Sequence, residues 1–339
     1  MIILVLPTLR RTGGTLEAIN LLQRLPGTRV KKIVALWGTE SPIDTNGIPS
    51  SVLFPNVTRK LVALLTLPAL LTKLHHHLDA ASEVVLTHYS TFIYSIFPSR
   101  KKNYYVFVQD AEWMFIANSI IRKIVRRFVE STVHSADRVI FTSPSLKECF
   151  DRDAEGCFIW PIMPSAVALS SPLPFKERHF DIICIIRSGF HKDANAYLQF
   201  FDQSKHLKIC AVSIEKEFAF LALQPNVSFF HNLSRPELFK IMSNSRVLVN
   251  FSSHEGFGLV PLEGLACGCA LVCRDNFGAR NYLPVDFPYL LEGDIINDAS
   301  RRALDLIQSD FDVKSSIQMY IDYVRACISD EQTFFQSFK

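Results

Sequence analysis

The chain has 339 residues and carries 36 Lys and Arg against 33 Asp and Glu, a formal net charge of +3. That near balance gives no electrostatic footprint for a nucleic-acid partner, and a hydrophobic fraction of 48% with 20% charged residues excludes a disordered chain. The length suits two domains, each large enough to bury its own core.

In chain order, the apolar run 1–7 has no basic leader and no cleavage site, so it reads as a first strand and not a signal peptide. Further strands are predicted at 32–37, 83–87, 104–108, 138–142 and 157–161, with helical patterns at 16–25, 61–78, 120–135 and 145–150. Between the first strand and its helix stands Thr12-Gly13-Gly14-Thr15, where paired glycines allow backbone amides to approach a ligand and Thr15 is placed to cap the helix. A tight turn without a ligand is the other reading. No third glycine completes a dinucleotide fingerprint and no Walker lysine follows.

The apolar segment 61–71 is too short to span a bilayer and contains Pro68. Its neighbours Arg59, Lys60 and Lys73, and the helix 120–129 with cations at 122, 123, 126 and 127, fit either a peripheral membrane contact or a packed helix with a solvated charged face. His75, His76 and His77 occupy adjacent helical positions and cannot converge on one metal. Two strands end in candidate polar groups: 83–87 at His88, and 104–108 at Gln109, Asp110 and Glu112.

Residues 165–179 lose periodicity and gather Pro and Ser, as a linker does. Alternation then restarts, with strands at 181–186, 207–212, 227–230, 246–251 and 270–274 and helices at 194–203, 215–223, 236–243 and 313–338. The expected fold class is therefore α/β, two Rossmann-like doubly wound domains facing a central cleft. The expected division is 1–165, 166–315 and a C-terminal helix at 316–339. The eight cysteines are scattered or lie within apolar strands, which reads as reduced, core-filling thiols in the cytosol.

The most informative stretch follows the strand 246–251. Glu255-Gly256-Phe257-Gly258-Leu259 runs through Pro261 and Leu262 to Glu263, and Gly268 stops the helix. A strand, a glycine loop and a helix N-terminus present amides and roughly half a positive charge to an anion. The two carboxylates can accept from sugar hydroxyls. Amides for phosphate beside acids for hydroxyls suggest a nucleotide-sugar site. Arg187 and Lys192, five residues apart past the strand 181–186, supply the cations that a leaving diphosphate needs.

This stretch resembles the donor-site signature of the retaining glycosyltransferases of family 4, which have the GT-B fold. Eleven positions match: Glu255, Gly256, Phe257, Gly258, Leu259, Pro261, Leu262, Glu263, Ala266, Cys267 and Gly268. The family's Gly-Arg-(four residues)-Lys pattern is similar at Arg187 and Lys192, with Ile186 in place of the usual glycine. The resemblance implies that Glu263 holds the ribose hydroxyls, that Glu255 and the Gly256–Leu259 amides hold the donor sugar, and that Arg187 and Lys192 stabilise the diphosphate. It implies that Gly13 and Gly14 face donor and acceptor, and that the terminal helix returns to the N-terminal domain. Many members have a His before the Asp at position 110; Gln109 stands there instead and cannot shuttle a proton. That departure is similar to a subset transferring rhamnose in surface-polysaccharide assembly, which would make dTDP-rhamnose the donor, although the residues themselves name neither base nor sugar. His88 matches a strand-end histidine of the family, and Asp110 could orient an acceptor hydroxyl.

The implied activity is transfer of a sugar from a nucleoside-diphosphate donor to a glycan or lipid-linked glycan acceptor, in the cytoplasm or at the inner face of the plasma membrane. No metal and no cofactor are called for. Asp151-Arg-Asp153 spells the acidic triplet of metal-dependent transferases, but it ends a predicted helix outside the cleft elements. A nucleotide-sugar epimerase of the same fold and a non-catalytic carbohydrate-binding partner subunit are the alternatives.

Overall fold

A computed structural model describes residues 1–10, 12–25, 30–39, 42–45, 47–55, 67–78, 81, 83–92, 95, 103–150, 156–160, 162 and 173–337. The chain divides into two units, Met1–Ile162 with Ser329–Lys339, and Met163–Ile328. In the first, strands β1 (Ile2–Thr8), β2 (Lys31–Trp37), β3 (Ser50–Phe54), β4 (Glu83–Leu86), β5 (Asn103–Val108), β6 (Arg138–Phe141) and β7 (Cys157–Ile159) form a parallel sheet. Their order is β3-β2-β1-β4-β5-β6-β7. The central strands are nearly continuous apolar runs because helices cover both faces, and residues 2–6 and 33–36 are all buried.

The second unit repeats the plan. Strands β8 (Phe180–Ile185), β9 (Ile209–Ser213), β10 (Val227–His231), β11 (Ser245–Asn250), β12 (Ala270–Arg274) and β13 (Leu290–Leu291) are parallel in the order β10-β9-β8-β11-β12-β13. The helix Ala194–Gln203 buries Ala196, Tyr197, Phe200 and Phe201, the i, i+1, i+4, i+5 stripe of an amphipathic helix. The helix Ile295–Gln308 buries Ile296, Ala299, Ala303 and Leu306 in the same core. Each sheet reverses its strand order beside its first strand, which is the doubly wound α/β arrangement expected from the alternation of elements.

Several local expectations are corrected. Thr12, not Thr15, caps the first helix: its Oγ1 accepts from Thr15 N at 3.2 Å, and Gly13 and Gly14 already lie inside the helix Gly13–Arg24. The run expected as an α-helix at 215–223 is a 3₁₀ helix, Lys216–Leu223, with Phe218 and Leu221 buried at the three-residue repeat. The later part of the predicted linker is packed structure. Phe175 joins the second core, and the buried Arg178 guanidinium donates to the carbonyls of Leu173, Ser245 and Cys267. Linker residues 165–172, apolar residues 61–66 and the acidic triplet 151–153 lie outside the described residues. Strands β3 and β13 are short edges of their sheets and carried no pattern of their own.

The glycine-loop helix, Leu259–Ala266, ends as its sequence predicts. Gly268 has φ of 72°. Its N–H donates to Leu265 O and that of Cys269 to Gly264 O, both at 2.9 Å, the paired bonds of a Schellman end. A Cβ at Gly268 would lie 2.4 Å from Val313 Cγ1 and 2.9 Å from Arg178 Nη2. Gly268→Ala should therefore destabilise the second unit by about 1–3 kcal/mol through left-handed strain and crowding. A urea titration with an unmoved midpoint would refute this reading of the helix end.

Candidate functional site

In an open parallel sheet, the crossover helices leave opposite faces where the strand order reverses, and a crevice opens there beyond the carboxyl ends of the strands. In the second unit that point lies between β8 and β11. The segments leaving these two strands carry Arg187 to Lys192 and Ser252 to Gly258, respectively.

Backbone bonds lock the two segments together. Ser253 N donates to His191 O at 2.8 Å, and Glu255 N ties the second segment to the one leaving β12 by donating to Asn276 O at 2.9 Å. Lys192 Nζ donates to Glu255 Oε1 at 2.5 Å, with side chains only 20% and 17% exposed. Gly258 has φ of 80°, and its carbonyl accepts from Tyr282 Oη at 2.7 Å. The helix Leu259–Ala266 has no side-chain cap, so its first amides and dipole point into the loop region.

Gly278 fits under this loop for lack of a side chain: a Cβ there would lie 2.5 Å from Phe257 C and 2.8 Å from Gly258 N, both backbone atoms. Among the described residues, three non-glycines have left-handed φ: Asp193, Asn232 and Phe277. All three lie in segments leaving the carboxyl ends of this sheet. Strain of this kind collects where geometry serves something other than stability. The Phe277 ring stacks on His254 with centroids 5.8 Å apart.

Glu263 is buried in the helix that follows the loop and pairs with Arg235. Burial pushes its carboxyl up, and Arg235 foremost, then Arg187, pulls it back. The structure thus brings Arg187, Lys192, Glu255, the 256–259 loop and Glu263 to one end of one sheet. It adds Arg235, Asn276 and Gly278, which sequence reasoning missed. Arg235 left one signal: it opens the helix Arg235–Ser243, where the dipole disfavours a cation unless a partner holds it.

The remaining candidates belong to the first unit and cluster after β1, β4 and β5. A Cβ on Gly14 would meet Gln109 Oε1 at 2.1 Å, so the Gln109 amide occupies the space that a side chain at position 14 would take. His88 Nδ1 accepts from Ser90 N at 3.1 Å, which leaves Nε2 directed at Glu112 Oε1, 3.7 Å away. Glu112 Oε2 also accepts from Tyr89 N at 2.8 Å. Burial raises the Glu112 carboxyl well above the usual carboxylate range; the Tyr89 amide opposes this and the Asp110 charge adds to it. Asp110 Oδ1 accepts from Ala111 N at 2.8 Å. Among the described residues no three His, Cys, Asp or Glu side chains gather as metal ligands.

Residues 174–310 match the family described as glycosyl transferases group 1. The match falls within the second unit, and its limits enclose every site residue named above for that unit. The chain as a whole has the GT-B glycosyltransferase fold. It superposes on sucrose-phosphate synthase from Thermosynechococcus elongatus with a TM-score of 0.76 at 14% identity, covering 99% of this chain and 98% of that one. It also superposes on Anabaena HepE in complex with UDP-glucose with a TM-score of 0.72 at 13% identity, covering 99% and 98%. In sequence it is similar to the O-antigen chain mannosyltransferase RfbU of Salmonella typhimurium, at 24% identity over 188 residues. That match spans 51% of this chain and 52%, about half, of the relative.

Removing Arg235 leaves the Glu263 carboxylate buried without its nearest cation, and Arg235→Ala should cost about 3 kcal/mol at neutral pH. Because the carboxyl is already raised in the folded state, the loss should shrink as pH falls toward 4.5 and the group takes up a proton. Denaturation of both proteins across that range checks the sign; a penalty that grows on acidification would contradict it.

Proposed function

We propose that the chain is a retaining glycosyltransferase of family 4 type, moving a sugar from a nucleoside diphosphate to a hydroxyl of a glycan or lipid-linked glycan in surface-polysaccharide synthesis. The observation that carries this reading is the Lys192–Glu255 pair held at the mouth of an uncapped helix, at the point where the strand order reverses. The family match over 174–310 supports it. So do RfbU, an O-antigen chain mannosyltransferase by name, and HepE, whose structure holds UDP-glucose.

Arg187 and Lys192 then face the diphosphate, and their charge meets what develops on the leaving oxygen as the glycosidic bond breaks. Glu255 serves twice, fixing the Lys192 ammonium and accepting from the donor sugar's hydroxyls beside the 256–259 amides. Glu263 accepts from the ribose hydroxyls, with Arg235 as its positioning residue. The acceptor oxygen bonds to the anomeric carbon on the side from which the diphosphate departs, and a diphosphate oxygen takes the acceptor's proton. Such a step asks for no dedicated base and no divalent ion. The acceptor is assigned to the first unit, where His88, Gln109 and Asp110 offer hydrogen bonds to its hydroxyls. The reaction is assigned to the cytoplasm, free or at the inner face of the plasma membrane.

Lys192→Ala and Glu255→Ala should each lower kcat by about 10²–10³ while circular dichroism stays that of the parent. Chelator should leave the rate unchanged. Rate loss under chelator, or full activity in both variants, would sink the proposal. Incubation with donor alone separates this reading from an epimerase, which would need no acceptor.

A further inference from the structure

The helix Ser119–Ser135 buries its later part, through Val129, Thr132 and Val133. Its first turns do the opposite. Ile120, Ile121 and Ile124 are 69%, 52% and 63% exposed, and Met114 in the preceding turn is 39% exposed. Single exposed apolar side chains need no explanation. Three isoleucines within five positions form a patch.

Cations interleave with them. Positions 120, 123, 124 and 127 follow the i, i+3, i+4, i+7 spacing of one helix face, so Lys123 and Arg127 stand beside Ile120 and Ile124. Arg122 is turned back, its Nε donating to Ile116 O at 2.8 Å, and Arg126 pairs with Glu130 at 2.7 Å. Among the described residues no acid pairs with Lys123 or Arg127. Glu130 is the helix's single acidic residue against four Lys and Arg. Three exposed isoleucines with cations between them suit neither the interior of this chain nor an ordinary solvated face.

We propose that this face docks on the surface of an anionic lipid bilayer. The isoleucines enter the headgroup boundary while Lys123 and Arg127 meet lipid phosphates, the arrangement of an interfacial amphipathic helix. One short patch gives reversible attachment and not anchoring. The claim concerns partition and stands apart from the transferase reading.

Flotation of the full chain with vesicles of phosphatidylcholine, alone or mixed with phosphatidylglycerol, tests it. The chain should float with the anionic vesicles, stay behind with the neutral ones, and release as salt rises. Lys123→Gln/Arg127→Gln should weaken partition roughly thirtyfold. Ile120→Gln/Ile121→Gln/Ile124→Gln should weaken it at least about tenfold, with unchanged circular dichroism in both. Wild-type chain that fails to float with anionic vesicles overturns the proposal, as does equal binding to neutral ones or unaltered flotation of either variant. Sedimentation showing a dimer that the isoleucine variant alone dissolves, without flotation, would assign the face to a second copy instead.

Discussion

The reversal of strand order beside β1 and β8 is the constraint from which the candidate sites follow. A parallel sheet forces every connection to cross over, and every crossover begins with a loop at the carboxyl end of a strand. Where consecutive crossovers go to opposite faces, two of those loops lie side by side with no helix packed between them. In the second unit these are the segments after β8 and β11. The His191 carbonyl, taken by Ser253, fastens one to the other. Chemistry-bearing residues 63 positions apart, Lys192 and Glu255, are thereby brought into hydrogen-bond contact.

Charge at this end of the sheet is arranged in opposed couples. Lys192 faces Glu255, and Arg235 with Arg187 faces Glu263. Ion pairs drawn partly out of water seldom raise stability above that of apolar packing of the same shape, so fold energetics alone does not explain two of them here. Left-handed Asp193, Asn232 and Phe277 add strain in the same region. Together they mark this end of the sheet as built at some expense in stability, which the proposed donor site would account for.

The alternation of apolar strands and helices was legible in the sequence because parallel strands are buried on both faces and read as unbroken apolar runs. The Glu255–Gly268 stretch was legible because glycines, a proline and two acids each answer a distinct backbone or chemical need. Short edge strands such as Leu290–Leu291 escaped, since two residues carry no period. Arg235 escaped because its meaning lies in Glu263, 28 positions later, and local spacing does not encode that meeting. Gly278 escaped for a related reason: the atoms that forbid it a side chain belong to Phe257 and Gly258. The face at Ile120–Ile124 was visible as a pattern, but packing and solvation give the same periodicity, and only exposure separates them.

One feature of the first unit bears on how the molecule is made. Phe334 is buried against Trp160 and Phe158, with ring centroids 5.2 and 6.1 Å away, and Glu331 holds Arg24 at 2.8 Å. During synthesis the seven-stranded sheet can assemble long before those partners emerge from the ribosome, leaving Trp160's indole waiting on an aromatic neighbour translated after the whole second unit. Completion of the earlier-made half is thus timed by the later-made one, and a nascent chain halted before Ser329 would display an unfinished apolar edge to chaperones and proteases.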